Sequence, residues 1–164
     1  MSKKERVIEL LNKAIAMEMT GTNQYMYFHF RCDDYGYETL AKLFKHTAIT
    51  EMMHIETLAE RVFFLGGDVK MVMADKVEQI ADVGEMLAKA AKLETDTVTV
   101  YNAFAKECDA CDDVSTKKIF EDLILREEEH GDNFKTEGVN LSKFGKEYLA
   151  LQAAEHSRKI AKGK

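Results

Sequence analysis

The chain has 164 residues, of which 46% are hydrophobic and 32% charged, and its formal net charge is -6 at pH 7. These values exclude a disordered chain and predict one globular domain over residues 1–164, while the negative charge argues against nucleic-acid binding. The first residues lack the apolar stretch of a signal peptide, and no apolar run is long enough for a membrane span, so we expect a cytoplasmic protein without membrane association.

Apolar residues recur at helical spacing along most of the chain, and the sequence has no proline, which permits long helices. The pattern predicts helices at roughly 4–33, 37–65, 82–110 and 114–138, with a shorter fifth helix at roughly 142–158. Asp82 followed by Glu85 predicts a cap at the start of the third helix. Because residues 66–81 can cross the length of the molecule, we expect an all-α four-helix bundle of two hairpins with one long crossover.

The second predicted helix presents a Glu and a His on its apolar face. Glu51 and His54 are three residues apart, so their side chains are neighbours on the face of Leu58. An unpaired carboxylate in a core is costly, so this placement requires a reason. The fourth helix repeats the motif with Glu127 and His130 on its own apolar stripe.

The first and third helices each add a core-facing glutamate, Glu18 and Glu94. A shift of 76 residues maps Glu18 onto Glu94, Glu51 onto Glu127 and His54 onto His130; it also maps Tyr25 onto Tyr101. We infer two copies of one helical hairpin, which together bring six metal ligands to the middle of the bundle.

Four carboxylates and two imidazoles suit a pair of divalent iron or manganese ions, whose charge they balance. Di-iron carboxylate bundles have this donor set, with Glu on two helices and Glu-x-x-His on the other two. A single Glu-x-x-His is usually a solvated surface, whereas two on core faces with matched glutamates indicate a di-metal site, with Glu51 and Glu127 bridging. Tyr25 is a candidate electron donor, although most core tyrosines only find a hydrogen-bond partner.

Two further features lie outside this set. Ile49, Met52, Met53 and Phe63 are predicted to face away from the bundle, which indicates a subunit interface. This interface is either an ordinary dimer contact or a place where one methionine from each subunit binds a haem. Cys108-x-x-Cys111 could be a redox pair or half a metal site, but no second pair exists, and reduced thiols are the favoured interpretation.

Several motifs resemble those of the bacterioferritins, and the similarity spans essentially the whole chain. They are Ala16-Met17-Glu18 with Asn23-Gln24-Tyr25, Glu51-Met52-Met53-His54 with Ala59-Glu60-Arg61 and Leu65-Gly66-Gly67, Glu94, Glu127-Glu128-Glu129-His130, and Tyr148-Leu149.

The resemblance implies a ferritin-like bundle with a fifth helix and an iron-storage function. It implies a ferroxidase centre of two iron ions per chain on the residues Glu18, Glu51, His54, Glu94, Glu127 and His130. It also implies a haem shared between two subunits with Met52 as its ligand, a cage of 24 subunits built from twofold dimers, and a ferredoxin as electron donor.

The sequence departs from the family pattern along the electron route. His46 matches an inner-surface position, but Thr50 stands where its usual aspartate partner would be, and Asn133 occupies the place of a tryptophan that some members use. The six ligands are unaffected.

Three alternatives remain open from the sequence. A rubrerythrin-like di-iron peroxidase without storage would usually carry a four-cysteine iron site and an extra carboxylate ligand. A small protective cage of the DNA-associated starvation type would build its metal site between subunits and lack a fifth helix. The metals could also be purely structural and inert to oxidants.

Overall fold

The structure, a computed structural model, describes residues 1–163 and contains four α-helices within them. They are α1 (Lys3–Asp34), α2 (Glu38–Phe64), α3 (Val83–Ala110) and α4 (Val114–Ala161). α1 packs along α2 and α3 along α4, and the two hairpins join through α1 against α3 and α2 against α4. The all-helical four-helix bundle is thus confirmed.

The two hairpins match at their turns as well as at their glutamates. α1 ends at Asp34 and α3 at Ala110, again 76 residues apart. Gly36 in the first turn has φ 76° and Asp112 in the second has φ 61°, a left-handed conformation that glycine and aspartate tolerate better than most residues. The cap predicted for α3 is present, because the Asp82 carboxylate accepts a hydrogen bond from the Glu85 N–H at 2.9 Å.

The buried apolar side chains form two clusters, one towards each end of the bundle. The first cluster includes Leu10, Leu11, Ile15, Leu58, Tyr101 and Phe120. The second includes Tyr25, Phe28, Phe44, Met86, Leu87 and Phe134. Since each buried Leu or Phe side chain contributes roughly 1.5–3 kcal/mol, these clusters hold the helices in register around the polar layer between them.

The crossover from α2 to α3 is fixed to α1 by three buried polar side chains. Asn12, Thr20 and Gln24 lie on α1 and are at most 8% exposed. Asn12 binds the Asp68 carbonyl at 3.0 Å and the Lys70 N–H at 2.7 Å. The Thr20 hydroxyl accepts the N–H groups of Ala74 at 3.0 Å and Asp75 at 3.1 Å. Gln24 binds the Glu78 N–H at 2.7 Å and the Glu78 carbonyl at 2.9 Å. Several backbone polar groups of this irregular segment are thereby satisfied.

The C-terminal part of the chain differs from the prediction. The break expected at Gly138 is wrong, because α4 continues through it and bends only at Gly145, with φ 54° and ψ -129°. The residues expected to form a fifth helix are helical, but they follow the rest of α4 across the kink at Gly145 without an intervening loop, so they are counted as the last part of α4. Beyond the bend, Gln152 Oε1 accepts the Leu40 N–H at 3.2 Å and so satisfies a free amide in the first turn of α2.

The outward face of α2 is apolar, as the sequence predicts. Ile49, Met52, Met53 and Phe63 are exposed by 45%, 52%, 51% and 63%. Within residues 1–163, none of the helices combines the length and apolar character required to cross a bilayer.

Candidate metal centre

Six chemically active side chains meet between the two apolar clusters. α1 supplies Glu18, α2 Glu51 and His54, α3 Glu94, and α4 Glu127 and His130. Every one of them is buried, with between 1% and 7% of its surface exposed. The six residues that the sequence predicts as metal ligands therefore lie together.

The ligand atoms form two overlapping groups, each with all its atoms within 4.8 Å of one another. One group comprises Glu18, Glu51, His54 and Glu127, and the other comprises Glu51, Glu94, Glu127 and His130. Glu51 and Glu127 belong to both groups, one from each hairpin. This arrangement fits two cations that share a pair of carboxylates and have one Glu and one His each.

Several of these atoms lie close together without making hydrogen bonds. His54 Nδ1 is 2.8 Å from Glu51 Oε2 and 3.0 Å from Glu127 Oε1, but the angles of these contacts do not suit a hydrogen bond. His130 Nδ1 is likewise unpartnered, 3.0 Å from Glu51 Oε1. Buried donors and acceptors are normally satisfied. Unpaired nitrogen and oxygen atoms directed at a common space fit a bound cation.

The surroundings shift the pKa values of the glutamates in different directions. Burial, together with the charges of Glu127 and Glu51, raises the pKa of Glu18 well above its ordinary value. Burial and the charges of Glu51 and Glu127 have the same effect on the pKa of Glu94. Burial would also raise the pKa of Glu127, but contacts with His130 and His54 outweigh it and lower this pKa to about 2.

The neighbouring carboxylates favour the doubly protonated, positively charged form of both imidazoles in the metal-free chain. Burial alone would lower the pKa of His54, but contacts with Glu127, Glu18 and Glu51 raise it to about 12. The pKa of His130 rises to about 9, because contacts with Glu127 and Glu51 outweigh burial. Protons thus neutralise part of the acidic cluster, and a metal ion would replace them.

Two tyrosines bind the outer glutamates across the bundle. Tyr25 on α1 donates its hydroxyl to Glu94 Oε1 on α3, and Tyr101 on α3 donates to Glu18 Oε1 on α1. Burial and the neighbouring carboxylates raise the pKa of each phenol well above its usual value, so both remain protonated donors. The sequence placed Tyr25 and Tyr101 on the inner faces; only the packing of the helices shows which glutamate each one reaches.

A cavity of about 130 Å³ adjoins the centre. Glu18, Glu51, Glu94, Glu127 and Tyr25 border it on one side. The crossover borders it on the other through Ala74 and Asp75, the two residues whose amides are bound by Thr20. This role of the crossover was not predicted from the sequence, because its signal is a single polar residue, Thr20, on an apolar helix face.

The remaining predicted residues lie away from the centre. Met52 faces outward, and His46 and Asn133 are exposed. The thiols of Cys32 and Cys108, which the shift of 76 residues relates, are buried in equivalent core positions, and burial raises the pKa of each to about 12. Cys111 is a free thiol at the end of α3. These features agree with the interpretation of reduced, structural thiols.

Comparison with known proteins identifies the family. Residues 8–144 match the model of the ferritin-like domain. The chain is 37% identical over 155 residues to a bacterioferritin of Desulfovibrio desulfuricans, a match that covers 94% of this chain and 87% of that one. It is 34% identical over 151 residues to a bacterioferritin of Brucella melitensis, covering 91% and 93%.

The chain belongs to the bacterioferritin family. Two solved bacterioferritin structures superpose closely on it. The D. desulfuricans protein gives a TM-score of 0.91 at 37% identity and covers 92% of this chain and 88% of its own; its structure is described as showing the diiron site in different catalytic states. The Rhodobacter capsulatus protein gives 0.87 at 30% identity, covers 92% and 94%, and is described with a metal-free dinuclear site and a haem iron in a crystallographic special position.

Proposed function

We propose that this bacterioferritin stores iron as a single ferritin-like di-iron domain. It takes up two Fe(II) ions per chain as substrate, oxidises them to Fe(III) with O2 or H2O2, and deposits ferric mineral inside a cage. The observation that carries this proposal is the pair of buried Glu and His groups that share Glu51 and Glu127 and leave both histidine Nδ1 atoms without hydrogen bonds.

Each ligand has a distinct task in this proposal. Glu18 and His54 hold one ion, Glu94 and His130 hold the other, and the shared Glu51 and Glu127 bridge them. Each bound Fe(II) supplies one electron to the oxidant. The chain positions the donors, balances four positive charges with four carboxylates, and keeps bulk water out of a layer that is at most 7% exposed. Tyr25, buried and bound to Glu94, is placed to give an additional electron.

The apolar outer face of α2 supports assembly into a homo-oligomer. Its exposed methionines suit a twofold contact in which Met52 from each of two chains binds one shared haem. We propose a closed cage of 24 such subunits, in line with the family resemblance. The ferredoxin donor that the resemblance implies stays a prediction.

Iron oxidation tests the function directly. Fe(II) is added with O2 to the metal-free protein, and ferric absorbance is followed as the ratio of iron to chain increases. We expect a fast phase that saturates at about two ions per chain, followed by slow uptake of many more. A fast phase without later uptake would indicate a di-iron enzyme without storage, and no fast phase would indicate a structural metal site.

The assignment of the ligands is tested by Glu127→Ala. This change removes a carboxylate common to both groups, so the fast phase should be lost while the bundle remains folded. Glu128→Ala is the matched control, because Glu128 is the exposed neighbour on the same helix. The Glu128→Ala protein should oxidise iron normally. A Glu127→Ala protein that oxidised iron at the normal rate would contradict the assignment.

A further inference from the structure

The two tyrosines of the centre form equivalent hydrogen bonds in opposite directions between the hairpins. Tyr25 on α1 reaches Glu94 on α3, and Tyr101 on α3 reaches Glu18 on α1. Tyr101 is fully buried and Tyr25 is 1% exposed. The shift of 76 residues that relates the two tyrosines also relates the two glutamates that accept their bonds.

Part of the aromatic packing behind each tyrosine recurs in the other hairpin. The same shift maps Tyr25, Phe28 and Phe44 onto Tyr101, Phe104 and Phe120. Phe28 lies edge-on to Phe44 with 5.2 Å between the ring centroids, and Phe104 lies edge-on to Phe120 with 5.5 Å between them. Tyr101 is 5.3 Å from Phe120, and Tyr25 is 6.5 Å from Phe44. Each phenol is therefore held by its own apolar cluster at one boundary of the polar layer.

The bond from Tyr101 determines which oxygen of Glu18 is available. Tyr101 occupies Oε1 of Glu18, whereas Oε2 of the same carboxylate lies 3.7 Å from His54 Nδ1. One oxygen is thus retained by the phenol while the other faces the group formed with His54. Glu18 and Glu94 are also the two carboxylates that belong to one metal group each, so each tyrosine acts on a single group.

We propose that Tyr101 is a positioning residue that fixes Glu18 for one metal ion, as Tyr25 fixes Glu94 for the other. This inference rests on the proposed function for the presence of two metal ions. Each tyrosine acts on a different ion. Loss of the Tyr101 hydroxyl weakens the binding of one ion, and loss of the Tyr25 hydroxyl weakens the binding of the other.

Titration of the metal-free protein with Co(II), followed by visible absorption, tests the proposal. The wild-type chain should bind two ions. Tyr101→Phe keeps the ring against Phe120 and should weaken one of the two ions by about tenfold or more, the usual effect of losing a partner that orients a ligand. Tyr148→Phe is the matched control, because Tyr148 also donates to a glutamate, Glu137, but away from the metal ligands. It should leave both ions unchanged.

A background of His130→Ala shows which ion is affected. That change removes the imidazole of the group containing Glu94, so the ion that remains tightly bound belongs to the group containing Glu18. In this background Tyr101→Phe should weaken the binding of the remaining ion, and Tyr25→Phe should leave it unchanged. Equal effects of the two tyrosine changes, or no effect of Tyr101→Phe, would overturn the proposal.

A second measurement does not depend on the folding of Tyr101→Phe. Colourless Zn(II) is added to the Tyr25→Phe protein and near-ultraviolet absorption is recorded. A change in tyrosine absorption is expected, because the ion binds the carboxylate that holds the Tyr101 hydroxyl; the absence of a change would overturn the proposal.

Iron oxidation, measured separately, distinguishes the two proposals. Two Co(II) ions with the expected tyrosine pattern, but no iron oxidation, would overturn the function and retain the positioning role. Normal iron oxidation by a Tyr101→Phe protein that binds both Co(II) ions normally would overturn the positioning role and retain the function. A wild-type chain that binds fewer than two ions would overturn both.

Discussion

Glu18, Glu94 and Glu127 carry the same side chain in the same buried layer, yet their neighbours give them different acidities. The pKa of Glu127 falls to about 2 because it lies between both histidines, whereas burial and adjacent negative charges raise those of Glu18 and Glu94. The metal-free centre therefore favours the ionised form of Glu127 and shifts Glu18 and Glu94 towards their protonated forms. Each proton must leave before an ion can bind through the same atom.

Metal binding should therefore depend strongly on pH. Since Glu18 and Glu94 have raised pKa values and His54 and His130 have values of about 12 and about 9, a divalent ion displaces protons at pH 7. The affinity should decrease as the pH falls, by about tenfold per unit for each proton displaced. The measurement is the release of protons, followed with a pH indicator, when Zn(II) is added to weakly buffered protein. Binding without proton release would contradict these acidities.

At the level of single residues the sequence is informative where a charge interrupts an apolar stripe. Glu51 and His54 could be predicted as ligands because a buried carboxylate and imidazole need a partner. The bond between Tyr101 and Glu18 could not be predicted, because it joins residues 83 positions apart and depends on how two helices pack. The same holds for Thr20, whose partners lie in the irregular crossover.

Among the elements, one arginine adds a polar contact to the junction between the hairpins. Arg61, near the end of α2, donates to Thr116 Oγ1 and Asp113 Oδ1 at 2.8 Å each, at the start of α4. The side chains of Arg61 and Asp113 are 15% and 16% exposed, so water replaces these bonds poorly. The contact ties the first hairpin to the turn of the second.

Replacement of this arginine should destabilise the bundle without affecting the chemistry. Arg61→Ala should lower the free energy of unfolding by about 2 kcal/mol, because it removes a charged hydrogen-bond donor from a half-buried pair. Arg126→Ala is the matched control: its partner Glu129 and Arg126 itself are more than 60% exposed, and its effect should stay below about 0.5 kcal/mol. Urea unfolding of the metal-free proteins measures both values. Equal effects of the two changes would contradict a special role for Arg61.

The helix boundaries show what periodicity alone can and cannot determine. α1 to α3 begin and end close to the predicted residues, because Ser2 and Asp82 cap helix starts and the turns contain residues with positive φ. Gly138 misled the prediction, since a glycine within a helix costs only about 1 kcal/mol, which packing readily offsets. At Gly145 the backbone conformation itself is non-helical, and the sequence carries no sign that distinguishes it from Gly138.

For the whole molecule, the exposed apolar face of α2 is the feature that a single chain leaves unexplained. Met52 and Met53 are adjacent and almost equally exposed, so exposure does not decide between them as the haem ligand. They point in directions about 100° apart on the helix, and the family resemblance selects Met52.

Haem binding should separate the two methionines. The purified protein is expected to bind one haem per two chains. Met52→Ala should remove the haem absorption while Met53→Ala retains it, since only one sulfur can reach the iron from each side of a twofold axis. Visible absorption measures the haem content, and analytical ultracentrifugation measures assembly in the same samples. Haem retained by Met52→Ala and lost by Met53→Ala would reverse the assignment.

The attachment of the crossover to α1 has a consequence for motion. Most of its anchoring bonds come from three side chains, so the segment can detach locally while all four helices remain intact. Ala74 and Asp75, which Thr20 retains, border the cavity beside the glutamates. The opening of that cavity to solvent should therefore depend on a few hydrogen bonds, those of the Thr20 hydroxyl and the bond from the Ala74 N–H to the Ala16 carbonyl at 2.9 Å, and amide exchange at Ala74 and Asp75 should proceed far faster than global unfolding. A rigid bundle can thus have an access route that fluctuates independently.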